Sequence, residues 1–98
     1  MQIEKRRDDG ALTVVLSGRL NTTTAPELEA DLADLDGVRE LVLDLAALEY
    51  ISSAGLRTLL LLHRKMSAQG GMKLRHVAPG IMEVFKMTAF TKFLTIEE

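Results

Sequence analysis

The pattern that most restricts this chain is a hydrophobic period that changes from strand-like to helix-like three times in succession. "ALTVVLSGRL" sets Leu12, Val14 and Leu16 on one side and Thr13, Val15 and Ser17 on the other, the two-residue period of a half-buried strand. "TTTAPELEADLADL" then spaces Leu28, Leu32 and Leu35 at four and three residues, the period of a helix with one apolar face. "VRELVLDL" brings three apolar residues in a row, Leu41-Val42-Leu43, which suits a central strand covered on both faces. A helix is predicted from about Ala54 to Gln69, stopped by Gly70-Gly71. The third cycle is the short strand "MKLRHV" and a helix opened by Ala78-Pro79-Gly80, running from Ile81 to about Met87. "KFLTIE" reads as a terminal strand.

Two turn signals complete the scheme. Asp8-Asp9-Gly10 marks a hairpin, so Ile3 to Lys5 should form a short antiparallel partner for the next strand. Thr24 with Glu27 has the spacing of a capping box, Pro26 fits the first helical turn, and Asp36-Gly37 should end that helix. Strands separated by helices need crossovers between parallel neighbours, and these are expected to be right-handed. The fold class expected is therefore α/β: a mixed sheet opened by an antiparallel hairpin, with helices packed against it. With 98 residues, no internal repeat and no linker, the expectation is one domain over 1–98.

Composition removes several function classes. A net charge of −2 with acids and bases interspersed offers no patch for nucleic acid or an anionic membrane. Cysteine is absent, so disulfides, thiolate zinc sites and thiol nucleophiles are excluded. The stretch "MQIEKRRDDG" holds no apolar run of the kind a signal peptide needs, so none is expected there, and the aliphatic run Leu59 to Leu62 is too short to span a bilayer. A cytoplasmic protein without direct membrane insertion is expected.

The segment that calls for a functional explanation is "LEYISSAGLRTLL". Ser52 and Ser53 fall where the central strand's loop becomes a helix, and either could serve as an N-cap, a role worth ~1 kcal/mol. Capping does not account for Gly55, which costs a helix roughly 0.8–1 kcal/mol relative to alanine. A small Ser-Ala-Gly turn leaves a hydroxyl and nearby amides open to a partner, and a helix N-terminus tolerates added negative charge. A phosphoryl group there would add a charge of about −1.5 to −2 without unfolding the helix. Capping alone and a regulatory site both stay open on chemistry. Arg57, one turn later, could meet an acidic partner or a Ser53 phosphate, or could simply be a solvated arginine.

Other candidates carry less. Leu61 points nearly opposite to Leu56, Leu59, Leu60 and Met66, to be buried under a neighbouring helix, to touch a partner, or to be a single exposed leucine that needs no explanation. Ser53 and His63 lie ten residues apart on one helix, roughly 15 Å along its axis, beyond reach of each other. His63 reads as a core-edge residue, and neither serine sits in a nucleophile elbow with His76 as partner. Asp44 has no second ligand at a metal spacing, so a loop or cap role is expected. No phosphate-cradling Gly-rich loop is present. Met82, Phe85, Met87, Phe90 and Phe93 could form a sticky docking surface, but are expected instead to fill the core between the last helix and the sheet. No catalytic residue, metal or cofactor is implied.

Along "SGRLNTTTAPELE", "LVLDLAALEYISSAGLRTLL" and "APGIMEVFKMTAFTKFL" the chain resembles the STAS domains, and in particular the bacterial anti-sigma-factor antagonists. The resemblance is most specific at "DLAALEYISSAGL", where counting back from Gly55 puts the family's phosphorylated serine at Ser53. It implies a protein that binds an anti-sigma factor with serine kinase activity, is released by phosphorylation at Ser53, and is reset by a serine phosphatase. The domain itself would catalyse nothing. The contact surface so implied comprises Asn21, Ser52, Ala54, Gly55 and Arg57. Many antagonists carry aspartate where this chain has Ser52, and often where it has Asn21; both differences remove negative charge near the expected interface. A second possibility within the resemblance is a stand-alone STAS subunit of a membrane transport complex, docking on its ATPase.

Overall fold

The hairpin is longer than its sequence signal. In the computed structural model, which describes residues 1–97, β1 (Gln2–Asp8) pairs antiparallel with β2 (Ala11–Leu20) from Gln2 opposite Ser17 to Asp8 opposite Ala11. β1 is mostly charged and exposed, with only Ile3 half-buried, so no apolar alternation advertised its length. After it follow α1 (Ala25–Asp31), β3 (Glu40–Ile51), α2 (Ser53–Ser67), β4 (Gly71–Arg75), α3 (Pro79–Met87), a 3-10 turn (Phe90–Lys92) and β5 (Thr95–Glu97). The five strands lie in the order β1-β2-β3-β4-β5, with every pair after the first parallel. The α/β fold with a mixed sheet is as the periodicity predicts.

One apolar cluster joins the inward residues of the sheet to all three helices. Leu12, Val14, Leu16, Leu41, Leu43 and Leu45 meet Leu28 of α1, Leu59 of α2 and Phe85 of α3 there. Among the described residues, Val42 alone of the buried apolar residues stands outside this cluster. The central strand is therefore not sandwiched between two helical layers. Val42 has Thr13 and Lys73 as register partners, and Lys73 reaches Glu40 on the same outer face at 3.6 Å. A long charged side chain lying along the sheet can shield a valine while its head stays in water.

α1 ends five residues before Asp36. Leu32 and Leu35 are still buried, but from a loop. That loop has its own supports: Asp34 Oδ1 accepts from Asp36 N at 3.0 Å, and Gln69 Nε2 donates to Leu35 O and Val38 O at 2.6 and 2.7 Å. The capping box does not form either. Thr24 is the N-cap residue, yet its hydroxyl caps nothing and turns back to Arg19 O at 2.7 Å.

At the C-terminal end, the terminal strand contracts to Thr95–Glu97 because Phe90–Lys92 forms a 3-10 turn, entered through Ala89 in the left-handed region. Of the residues expected to fill the core here, Phe85 is fully buried, and Met82 and Phe90 are half-buried. Met87 and Phe93 are 83% and 59% exposed, which corrects that expectation for both.

Candidate functional site

Parallel strands send their following loops to the same end of a sheet, where ligands and partners of α/β folds are usually met. β4 pairs only with the first part of β3, Glu40 to Asp44. Beyond it, β2 and β3 run on together and end as register partners at Leu20 and Ile51. Asn21 and Ser52 therefore leave the sheet side by side, roughly 5 Å apart at the strand spacing. Ser52 N donates to Leu20 O at 2.9 Å, tying the second loop to the first strand.

The two serines divide the work that the sequence left open between them. Ser52 has extended backbone (φ −96°, ψ 176°) and is the N-cap of α2; its Oγ accepts from Gly55 N at 3.2 Å. Ser53 is the first helical residue. Its side chain is exposed and has no hydrogen-bond partner among the described residues. The amides of Ser53 and Ala54 belong to the first turn and have no acceptor within the helix. No acidic residue stands in that turn. Arg57 is exposed and forms no ion pair among the described residues. The helix start is thus electropositive, with a free hydroxyl at its centre.

Gly55 has a packing explanation. It is buried, and a Cβ there would lie 2.8 Å from Leu20 Cγ, 2.9 Å from Ile51 Cγ1 and 3.0 Å from Leu20 O. The helix can start this close to the two strand ends only without a side chain. Gly55 therefore sets the height of Ser53 above the sheet, and its small size does not itself open a surface. Ala54 is half-buried against the core, and its carbonyl accepts from the buried Thr58 hydroxyl at 3.2 Å.

Asn21 is also committed inward. Its Oδ1 accepts from Thr23 N at 3.0 Å and Thr24 N at 3.1 Å, and its carbonyl accepts from Ala25 N at 2.8 Å. Thr24 Oγ1 in turn accepts from Asn21 N at 2.8 Å. This closed set of bonds is what the Thr24 hydroxyl does in place of the capping box. Gly18, two residues before Leu20, takes φ +96° beside a register shift in β2, a conformation for which glycine carries no side-chain penalty.

Two residues beside the site were missed. Arg19 stacks over the Tyr50 ring at 4.3 Å from its centroid, and the two are register partners immediately before Leu20 and Ile51. Their signal was the alternation itself, since residues next to the inward Leu20 and Ile51 must face outward. Arg57, Leu61 and Tyr50 remain on the surface, so Leu61 is not buried under a neighbouring helix.

The remaining polar candidates lie elsewhere. His76 Nδ1 is 3.0 Å from Asp44 Oδ2, while Asp44 Oδ1 accepts from Ala46 N at 3.0 Å. Burial alone would raise the Asp44 pKa. The Ala46 amide, His76 and Arg75 outweigh it and hold the carboxyl below its ordinary value. Asp44 lies inside β3, paired with Val15 and Arg75, and not in a loop or cap as expected; it bonds locally to the Ala46 amide and has a histidine partner that the sequence did not reveal. His63 is half-buried, and its Nδ1 is buried without a partner among the described residues. Among the described residues neither imidazole bonds to Ser52 or Ser53; the only serine hydroxyl that bonds to a histidine does so through the backbone, where Ser67 Oγ donates to His63 O at 2.8 Å.

A family profile described as "Mlab, STAS domain" matches residues 3–96. The chain belongs to the STAS domain family. It is 39% identical over 99 residues to BtrV of Bordetella bronchiseptica, assigned as an anti-sigma factor antagonist, covering 98% of this chain and 85% of BtrV. It is similar in structure to an anti-sigma factor antagonist from Mycobacterium paratuberculosis, with a TM-score of 0.87, 27% identity and coverage of 97% and 83% of the two chains. The fold also matches the Bacillus cell fate determinant SpoIIAA in its phosphorylated form, with a TM-score of 0.76, 16% identity and coverage of 99% and 92%. BtrV and the Mycobacterium paratuberculosis protein are thus both described as anti-sigma factor antagonists.

In this STAS domain, the two differences from the resemblance acquire a physical meaning. Ser52 and Asn21 both act as side-chain acceptors for backbone amides. Aspartate is as good as serine at an N-cap and can also accept at a turn. Exchanging aspartate for serine or asparagine thus keeps the hydrogen bonds and changes only the charge. Among the described residues no helix is long and apolar enough to cross a membrane.

Proposed function

We propose that this protein is an anti-sigma-factor antagonist acting in the cytoplasm, without catalytic activity of its own. In its unphosphorylated form it binds an anti-sigma factor that is also a serine kinase. That kinase transfers the γ-phosphoryl group of ATP to Ser53 Oγ, with loss of the hydroxyl proton and release of ADP. The added phosphate ends the complex, and a serine phosphatase restores it by hydrolysis, so that sigma-factor-dependent transcription follows the phosphorylation state. The observation that carries this reading is the division between the serines: Ser52 is consumed as the cap, and Ser53 is exposed and unbonded. The similarity to BtrV supports the choice of partner.

The contact surface would be formed by the loop at Asn21, by Ser52, Ser53 and Ala54, and by Arg57, with Gly55 setting the height of the turn. A phosphate at the first helical residue is accommodated by the free amides and the helix dipole, so the folded domain accepts it. A partner fitted to a neutral hydroxyl meets extra bulk and a charge to desolvate. A penalty of ~2–4 kcal/mol corresponds to roughly 30- to 1,000-fold in affinity.

The test is incubation with the cognate kinase and ATP, followed by mapping of the product and pull-downs with wild-type protein and Ser53→Asp. Modification at Ser53 and loss of the anti-sigma factor from the Ser53→Asp pull-down are expected. Modification at Ser52 instead, or retention of a membrane transporter's ATPase by both proteins, would overturn the proposal.

A further inference from the structure

The outward face of α2 continues away from Ser53 as an unusual stripe. Successive helical residues turn by about 100°, so Ser53, Arg57, Leu61 and Arg64 fall within a sector of roughly 80°. They extend over about 16 Å at 1.5 Å per residue. All four are exposed, and Leu61 is 41% exposed, one of few large apolar side chains so placed. From Ser53 to Ser67 the helix contains no aspartate or glutamate, although the chain as a whole carries −2. Lys65 turns aside to Ala33 O at 3.3 Å, near the end of α1. Arg57 and Arg64 have no carboxylate partner among the described residues. Beside Leu61 a groove of about 280 Å³ opens between the two helices, bounded by Glu29, Thr58, Leu61, Leu62, Arg64 and Lys65.

We infer that this stripe is the continuation of the Ser53 contact surface and receives an acidic face of the same anti-sigma factor, with an apolar side chain entering the groove beside Leu61. The inference rests on the reading given under the proposed function for the identity of the partner. Its own support is the unbroken run from Ser53 to Arg64 and the one-signed charge of the helix. Arginine is enriched among the interface residues that carry most of the binding energy. Two unpaired arginines steer an acidic partner and make association sensitive to salt.

The experiment titrates the purified anti-sigma factor captured by the wild-type protein against wild type, Ser53→Asp, Arg57→Glu, Leu61→Ser and Arg64→Glu. Arg6→Glu, on the outer face of the sheet, is the charge-matched control. Arg57→Glu and Arg64→Glu should each weaken binding by roughly tenfold and flatten its dependence on salt, and Leu61→Ser by roughly fivefold, with Arg6→Glu close to wild type. Melting curves establish that each variant is folded. Wild-type affinity for Leu61→Ser and Arg64→Glu, with binding lost in Ser53→Asp, would overturn the inference and leave the Ser53 switch standing. Weakened Arg64→Glu with unaffected Ser53→Asp would support the stripe and refute the switch. A concentration-dependent dimer dissolved by Leu61→Ser would assign the face to a second copy and overturn the proposal.

Discussion

Replacing either serine of the pair by alanine removes one hydroxyl, yet the structure predicts very different consequences. Ser52→Ala deletes the acceptor of Gly55 N, and Gly55 is buried between Leu20 and Ile51, so water cannot readily take the place of the hydroxyl. Loss of an N-cap costs about 0.5–2 kcal/mol, and a buried orphan amide places this one toward the upper end. In a domain of this size each kcal/mol lowers Tm by about 4–8 °C. Ser53→Ala removes a side chain that bonds to nothing, so its stability should stay within about 0.5 kcal/mol of wild type. Ser52→Asp restores the acceptor and adds a charge favourable at a helix N-terminus, so its Tm should return to wild type or slightly above. Far-UV circular dichroism melts of the three variants measure this directly. Equal destabilisation by Ser52→Ala and Ser53→Ala, or a larger effect at Ser53, would refute the assignment of cap and free hydroxyl.

Gly55→Ala should lower stability by on the order of 1 kcal/mol, because overpacking costs ~1–3 kcal/mol against a helix-propensity gain of at most ~1. The sign depends on Leu20 O, a backbone atom that cannot rotate away, and a raised Tm would contradict it. Asn21→Lys should destabilise by about 1–2 kcal/mol through loss of the acceptor for Thr23 N and Thr24 N, whereas Asn21→Asp should keep wild-type stability in the same urea titration. The Asp44 carboxyl is held below its ordinary pKa of 3.8, so its stabilising effect is present above that value and lost as pH falls through the folded pKa. The Tm difference between wild type and Asp44→Ala should accordingly be full near pH 6 and shrink below about pH 4; a difference constant down to about pH 2 would contradict the assignment.

The architecture was legible because burial on one side of a sheet imposes alternation, and Leu12, Val14 and Leu16 display it without exception. The strand and helix order followed from the same periodicity. Details governed by side-chain bonds across the chain were not legible. Nothing near Asp36 predicts that Gln69 will hold the carbonyls of Leu35 and Val38 and let α1 stop early. The Thr24–Glu27 spacing suggested a capping box, but Asn21 offered the loop a competing set of bonds. Consecutive apolar residues at Leu41-Val42-Leu43 do not distinguish a helix over the outer face from shielding by long neighbours such as Lys73. At the site, "SSAG" located the helix start. Which serine caps it, and why the glycine is there, depended on Leu20 and Ile51, about thirty residues apart in sequence and paired only in the sheet.

The central claim is that Ser53 acts as a local switch, by charge and bulk at the start of α2, without refolding the domain. The most direct measurement prepares the unphosphorylated and Ser53-phosphorylated proteins, compares their amide chemical shifts, and titrates each with the anti-sigma factor. Shift changes confined to Ser52 to Arg57 and the adjoining Asn21 loop, with affinity lower by roughly 30- to 1,000-fold in the phosphorylated form, are predicted. Shift changes spread across the sheet, or equal affinity of the two forms, would contradict it.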